Sequence, residues 1–170
     1  MDFKNIIRDV QDFPHEGILF RDITPLLKDP ESLKSAVSIM ADELKGIDFD
    51  YVVGPESRGF IFGVPVAYVL NKGFVPVRKT GKLPAKTIRK AYSLEYGEAV
   101  VEIHADAIET GQRVVIVDDL LATGGTCRAI CELVEEMGGT VAAIVFLVEL
   151  NALNGREILK KYNVRSLVQY

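Results

Sequence analysis

The sequence predicts an α/β fold with a central, mainly parallel sheet flanked by helices. It reads as one domain over residues 1–170, with a small N-terminal hood of about residues 1–28 on a core of 29–170. Three observations carry this. Residues 114–117, VVIV, are consecutive β-branched apolar residues, which suit a short strand buried on both faces inside a parallel sheet. The run stops at two carboxylates, Asp118 and Asp119, and a Thr123-Gly124-Gly125-Thr126 turn then leads into the helical pattern Ile130, Leu133, Val134, Met137. A second apolar run, 49–53, ends the same way, in GPESRGF and another helical pattern.

Taken in order, Phe3, Ile6, Ile7 and Val10 recur at helical spacing after Asp2, and Pro14 prevents a longer helix. Residues 13–27, FPHEGILFRDITPLL, mix prolines, glycine and charges and read as a long irregular connection, the kind of ordered loop that often binds something. On the residues alone, Phe20 is a core anchor and Arg21-Asp22 a surface ion pair. Asp29-Pro30 supplies an N-cap and a first-turn proline, and Leu33, Val37, Met40, Ala41 and Leu44 form an apolar helical face up to Gly46. After the 49–53 strand a helix runs through Phe62, Val66 and Val69 toward Gly73.

Residues 74–77 form the next strand, and the polar stretch 78–97 carries six Lys or Arg, at 78, 79, 82, 86, 89 and 90. Such a charge run is, by pattern alone, as readily a solvated surface as a site. Alternation in VEIHADAI gives a strand with His104 at a surface or edge, and His15 receives no role. Residues 140–150 are too apolar for a one-sided sheet; a short helix at 155–162 and a last strand at 164–170 follow. Cys127 and Cys131, four apart on one helix with no further Cys or His beside them, read as buried thiols, not a metal site or disulfide.

Composition narrows the function class. With 170 residues, 48% hydrophobic and 26% charged, the chain can bury a sizeable core and is ordinary for a globular enzyme. A net charge of −4 argues against a nucleic-acid binder working by bulk electrostatics. The longest apolar run, 141–148, is too short to span a bilayer, and the charged MDFKNIIRDV start is no cleavable signal. The expectation is a cytoplasmic protein with neither nucleic-acid nor membrane partners.

The two strand-end turns suggest the chemistry. A helix N-terminus leaves backbone N–H groups unpaired and carries about half a positive charge, so it attracts an anion. Gly124 and Gly125 let the backbone approach a phosphate, and the Thr123 and Thr126 hydroxyls can donate to it. Asp118 and Asp119 would repel that phosphate, so they accept from sugar hydroxyls or face a divalent cation. Ser57 and Arg58 make a second anion site; the structural alternative pairs Arg58 with Glu56. The pairing of an anion-binding turn with these carboxylates describes a phosphorylated, hydroxyl-rich ligand. Neither the nucleotide-triphosphatase loop nor the dinucleotide fingerprint is present.

DDLLATGGT resembles the phosphoribosyl pyrophosphate (PRPP) motif of the type I phosphoribosyltransferases, in the version found in the adenine phosphoribosyltransferases. FRDI, ESRGF, RKxGKLP and SLEYG precede it in family order, so the resemblance covers almost the whole chain. It implies the type I phosphoribosyltransferase fold, conversion of adenine and PRPP to AMP and pyrophosphate in purine salvage, and a homodimer. It implies Mg²⁺ held mainly through PRPP and water near Asp118 and Asp119. Phe20 would stack on the purine, with backbone near Phe20 and Arg21 reading its edge. Ser57, Arg58, Lys79 and Lys82 would hold pyrophosphate, Asp118 and Asp119 the ribose, and Ala122, Thr123, Gly124, Gly125 and Thr126 the 5′-phosphate. Glu95 and Tyr96, in a flap of residues 80–97, would close over the reaction, with Glu95 the catalytic proton donor to N7. Hypoxanthine-guanine enzymes resemble this loop with an aspartate where Ala122 stands, a carboxylate that serves a 6-oxopurine. The alternatives are another purine enzyme, for hypoxanthine, guanine or xanthine, and a PRPP-sensing regulator without catalysis; no segment is left over for the DNA-binding module a regulator needs.

Overall fold

The computed structural model describes residues 2–93 and 98–170. The chain begins differently from its helical pattern. Asp2 caps a single 3-10 turn, Phe3–Asn5, and strand β1, Arg8–Val10, follows. Phe3 and Ile7 are buried as their spacing requires. β1 nevertheless pairs antiparallel with β2, Phe20–Asp22, with Arg8 bonded to Asp22 and Arg21 to Asp9 across the strands. Those partners lie more than ten residues away in sequence, so local periodicity could not reveal them. The connection 13–27 is likewise only partly irregular, since it contains β2 and most of helix α1, Thr24–Lys28.

Helix α2, Pro30–Asp42, starts where expected: the Asp29 carboxylate accepts the Ser32 N–H at 2.8 Å, and Ala36, Val37, Met40 and Ala41 are buried. The larger sheet then assembles from β3 (Tyr51–Pro55), β4 (Gly73–Lys79), β5 (Thr87–Ser93), β6 (Glu98–His104), β7 (Arg113–Leu121), β8 (Thr140–Glu149) and β9 (Val164–Gln169). Its order is β5-β6-β4-β3-β7-β8-β9. The pairs from β4 through β3, β7 and β8 to β9 are parallel, while β4–β6 and β5–β6 are antiparallel. The polar stretch after β4 therefore contributes a strand, β5, paired antiparallel with β6 from Thr87↔His104 to Ser93↔Glu98.

Side-chain alternation divides the core between the two sheet faces. Val52, Val115, Val117, Val145 and Leu147 join α2 and helix α3, Arg58–Val69, on one side. Val53, Val114, Ile116, Ile144 and Phe146 join helix α4, Gly125–Glu136, on the other. This explains why β7 and β8 are apolar at consecutive positions. It also fixes the site: β3 runs through α3 to β4 on one side of the sheet centre, whereas β7 runs through α4 to β8 on the other. The strand order reverses between β3 and β7, and the crevice beyond their carboxyl ends is where open α/β sheets bind ligands.

Some element ends differ from the sequence reading. β7 does not stop at Asp118; it continues to Leu121 because β8 offers Phe146, Val148 and Glu149 as partners. The helix expected at 155–162 is shorter, α5 at Gly155–Ile158. Cys127 and Cys131 are buried free thiols. No helix among the described residues is long and apolar enough to cross a membrane.

Candidate active site

Both strand-end turns open into one cavity of about 330 Å³ at the switch point, lined from β3–α3 by Glu56, Ser57 and Arg58 and from β7–α4 by Asp118, Asp119 and residues 122–126. α2 is capped by a side chain; α3 and α4, which begin at this cavity, are not. Their first N–H groups are thus available to an anion.

At the β7–α4 turn the backbone does the shaping. Gly124 is the N-cap of α4 with φ of 83°, the left-handed region that side chains disfavour, and a Cβ on it would meet the Gly155 carbonyl at 2.8 Å. The Thr126 hydroxyl bonds the Tyr92 hydroxyl of β5 at 2.9 Å, which ties that strand to the start of α4. Tyr92 was missed in sequence, although Ile88, Lys90 and Tyr92 alternate inward along β5.

At the β3–α3 turn, reached through a cis Glu56–Ser57 peptide, side-chain charges dominate. Glu56 takes the Lys79 N–H at 2.6 Å and the Arg78 guanidinium at 2.9 and 3.0 Å, with Lys82 Nζ 4.0 Å away. It therefore pairs with the strand-β4 side, not with Arg58. Burial pushes the Glu56 carboxyl up, but the Lys79 N–H and Arg78 outweigh it and hold the group below the ordinary range. Glu56 is a further site residue that sequence reasoning treated only as an alternative partner. Of the basic run, Arg89 pairs with Glu102 and Lys90 with Glu132 and Glu136, so half of it, counting Arg78, is structural. Lys79 lines the cavity.

Arg58 instead bonds Asp119, which is 5% exposed, at 2.7 Å. Asp118 accepts the Asp119 N–H at 2.8 Å, and its Oδ1 lies where a Cβ on Gly59 would stand, 2.8 Å away, which is why the first turn of α3 carries glycine there. Burial, then the charge of Asp119, pushes Asp118 well above the usual carboxylate range. Burial also raises Asp119, with Arg58 opposing it.

Arg58 lines a second, apolar cavity of about 420 Å³ as well, with Val10, Phe13, Phe20, Ile23 and Ile61. Its guanidinium stands 5.7 Å from the Phe20 ring centre, and Phe13 meets Phe20 edge-on at 5.1 Å. Phe20 is thus a pocket wall, not a buried anchor. The expected Arg21–Asp22 pair is absent: Arg21 bonds Asp9 and lies 3.7 Å over the Tyr170 ring, while Asp22 bonds Arg8 and Thr24. Cross-strand register sets these partners. Glu95 and Tyr96 lie outside the described residues.

The family model for the phosphoribosyl transferase domain matches residues 23–169. An adenine phosphoribosyltransferase of Acetivibrio thermocellus is 60% identical over 171 residues, covering all of both chains. The crystal structure of adenine phosphoribosyltransferase from Thermoanaerobacter pseudethanolicus superposes with a TM-score of 0.96 at 54% identity, covering 99% of this chain and 98% of that one. The Saccharomyces cerevisiae enzyme, solved with adenine and an imino-altritol bisphosphate, gives 0.88 at 38% identity, covering 98% and 95%. A sheet with its switch point between two uncapped helix starts, an apolar pocket beside them, and full-length identity of this order place the chain in the phosphoribosyltransferase family, among the adenine phosphoribosyltransferases.

Proposed function

We propose that the chain joins adenine to the ribosyl carbon of PRPP, giving AMP and pyrophosphate in purine salvage, with each turn holding one end of the phosphorylated sugar. The observation that carries this is the pair of uncapped helix starts facing one cavity, with Arg58 shared between that cavity and the apolar pocket at Phe20. Residues 122–126 hold the 5′-phosphate, Asp118 and Asp119 the ribose hydroxyls, and Ser57, Arg58, Lys79 and Lys82 the pyrophosphate. Adenine enters against Phe20, with the backbone at Phe20 and Arg21 along its edge.

Displacement at the anomeric carbon passes through an oxocarbenium-like state, as in glycoside chemistry. The protein must therefore stabilise a departing anion, which Lys79 and Lys82 suit, and exclude water, which closure of the 80–97 segment with Glu95 and Tyr96 would do. Among the described residues no three His, Cys, Asp or Glu side chains cluster as a metal cage. Mg²⁺ fits instead as an ion carried by PRPP oxygens and water beside Asp118 and Asp119, where it would spread the leaving group's charge. The outer face of α3 leaves Ile61, Val64, Tyr68 and Val69 exposed, an apolar stripe that a second copy would cover in a homodimer. The assignment is of a cytoplasmic enzyme.

Pyrophosphate release with PRPP and each of adenine, hypoxanthine, guanine, xanthine and orotate tests the reading. Adenine alone should support rapid turnover, and chelation of Mg²⁺ should suppress it. Equal rates with hypoxanthine or guanine would remove the specificity argument at Ala122.

A further inference from the structure

The strand that ends at the phosphate turn is pinned from its far side. Leu121 closes β7, and its register partner on β8 is Glu149; the Leu150 N–H donates to the Leu121 carbonyl at 2.9 Å. Glu149 is 4% exposed, yet its carboxylate is matched. Arg156 Nε donates to Oε1 at 2.9 Å, Arg156 Nη2 to Oε2 at 2.5 Å, and the Ser166 hydroxyl to Oε2 at 2.5 Å. Arg156 Nη1 also donates to the Val164 carbonyl at 2.8 Å, joining β9 to the same group. A bidentate pair whose carboxylate sits on β8 and whose guanidinium also bonds β9 admits little rotation.

Gly155, next to Arg156, transmits that position. A Cβ on Gly155 would fall deep inside the Ala122 carbonyl and 2.9 Å from Leu121 Cδ1, while a Cβ on Gly124 would meet the Gly155 carbonyl at 2.8 Å. The 122–124 segment is thus packed backbone to backbone on the first turn of α5.

We infer that Glu149 and Arg156 are positioning residues for the phosphate turn, acting through Gly155; the inference rests on the reading of 122–126 as the 5′-phosphate site. They do not touch substrate. They hold the Ala122 carbonyl and the left-handed Gly124 where the following N–H groups converge, and convergence is what a backbone anion site requires. Losing one charge-assisted hydrogen bond from such a site costs about 10- to 100-fold in affinity.

The test titrates ribose 5-phosphate and adenine separately into wild type, Gly155→Ala and Arg156→Lys, alongside PRPP KM, kcat and Tm. Gly155→Ala keeps the ion pair and perturbs only the contact; Arg156→Lys keeps the charge and loses the planar fork. The expected result is weaker ribose 5-phosphate binding and a higher PRPP KM, about 10- to 100-fold in Gly155→Ala and less in Arg156→Lys, with adenine KM and kcat close to wild type. Unchanged ribose 5-phosphate affinity in a folded Gly155→Ala overturns the inference, and so does an unchanged affinity in Arg156→Lys when Gly155→Ala loses it. So do losses that fall equally on adenine, PRPP and Tm, which mark a merely structural pair. Failure of the wild type to bind ribose 5-phosphate would overturn the underlying reading as well, and so separates the two.

Discussion

The two turns at the switch point face one cavity and are held in opposite ways. The 122–126 turn is fixed by backbone conformation and packing, with Gly124 left-handed against Gly155 and no side chain capping α4. The 55–58 turn is fixed by charge: Glu56 with Arg78 and the Lys79 N–H, Arg58 with Asp119. The first is a packed backbone turn whose leading N–H groups no side chain caps. The second is a set of ion pairs in which Arg58 engages Asp119 through Nε alone, so its Nη donors stay open to an anion while Asp119 holds the guanidinium in place. Under the proposed function, one end of the substrate would be met by backbone dipoles and the departing end by side-chain charge.

The largest expected effect tests whether these turns bind without themselves protonating the base. The 122–126 turn offers adenine only a methyl at Ala122, so the proposed reaction assigns proton donation to N7 to Glu95. Glu95→Leu should lower kcat by about 10² to 10⁴ with PRPP affinity intact, and Glu95→Gln, still a donor, should lose less. Single-turnover rates near wild type in Glu95→Leu would leave the flap with closure alone.

Next comes the rigid turn. Gly124→Val places a β-branched side chain at a positive φ and against the Gly155 carbonyl, so PRPP affinity should fall by about 10²-fold or more, the worth of two charge-assisted hydrogen bonds. The structure adds a stability loss of about 1–3 kcal/mol, because that glycine serves the chain's own path as well as phosphate approach. Unaltered PRPP affinity by calorimetry would make the turn purely structural. At the charged turn the effect should be smaller: Arg58→Gln should raise the PRPP KM about 10- to 100-fold, the usual worth of a charge-assisted hydrogen bond. A loss there as large as in Gly124→Val would erase the distinction between the turns.

Their legibility differs for the same reason. The rigid turn is local: a β-branched run, an acidic corner and Thr-Gly-Gly-Thr are contiguous, so the helix start and the turn that lines the cavity are legible. Asp29 and Pro30 marked α2 equally well. The charged turn depends on register, which brings Glu56 to Lys79 through the β3–β4 pairing and Arg58 to Asp119 through the β3–β7 pairing. No spacing rule announces such partners, and Arg58 with Glu56 was the natural guess. The N-terminal turn failed similarly, because its helical spacing was genuine but β1 found β2. β7 was cut short because aspartates do not resemble strand residues, although β8 continues alongside them.

The smallest effects have opposite signs at the two turns, and pH separates them. Glu56 has a folded pKa held below its ordinary 4.5. Its native state therefore gains stability that is fully present above the unfolded value and is lost as pH falls through the depressed folded value. Asp118 has a folded pKa raised well above its ordinary 3.8 by burial and Asp119. Its native state keeps a proton that the unfolded chain has released, so stability declines as pH rises from the unfolded value toward the folded one, and the penalty is complete above it. Glu56→Gln should then lower Tm near neutral pH and converge on wild type in acid. Asp118→Asn should raise Tm of the unliganded protein by a few degrees, on the scale of about 2–4 °C per kcal/mol for a chain this size, while weakening PRPP binding. Thermal scans across pH decide it: a destabilised Asp118→Asn at neutral pH would mean that its carboxylate supports the empty fold, and the two turns would no longer differ in what they hold in reserve for the ligand.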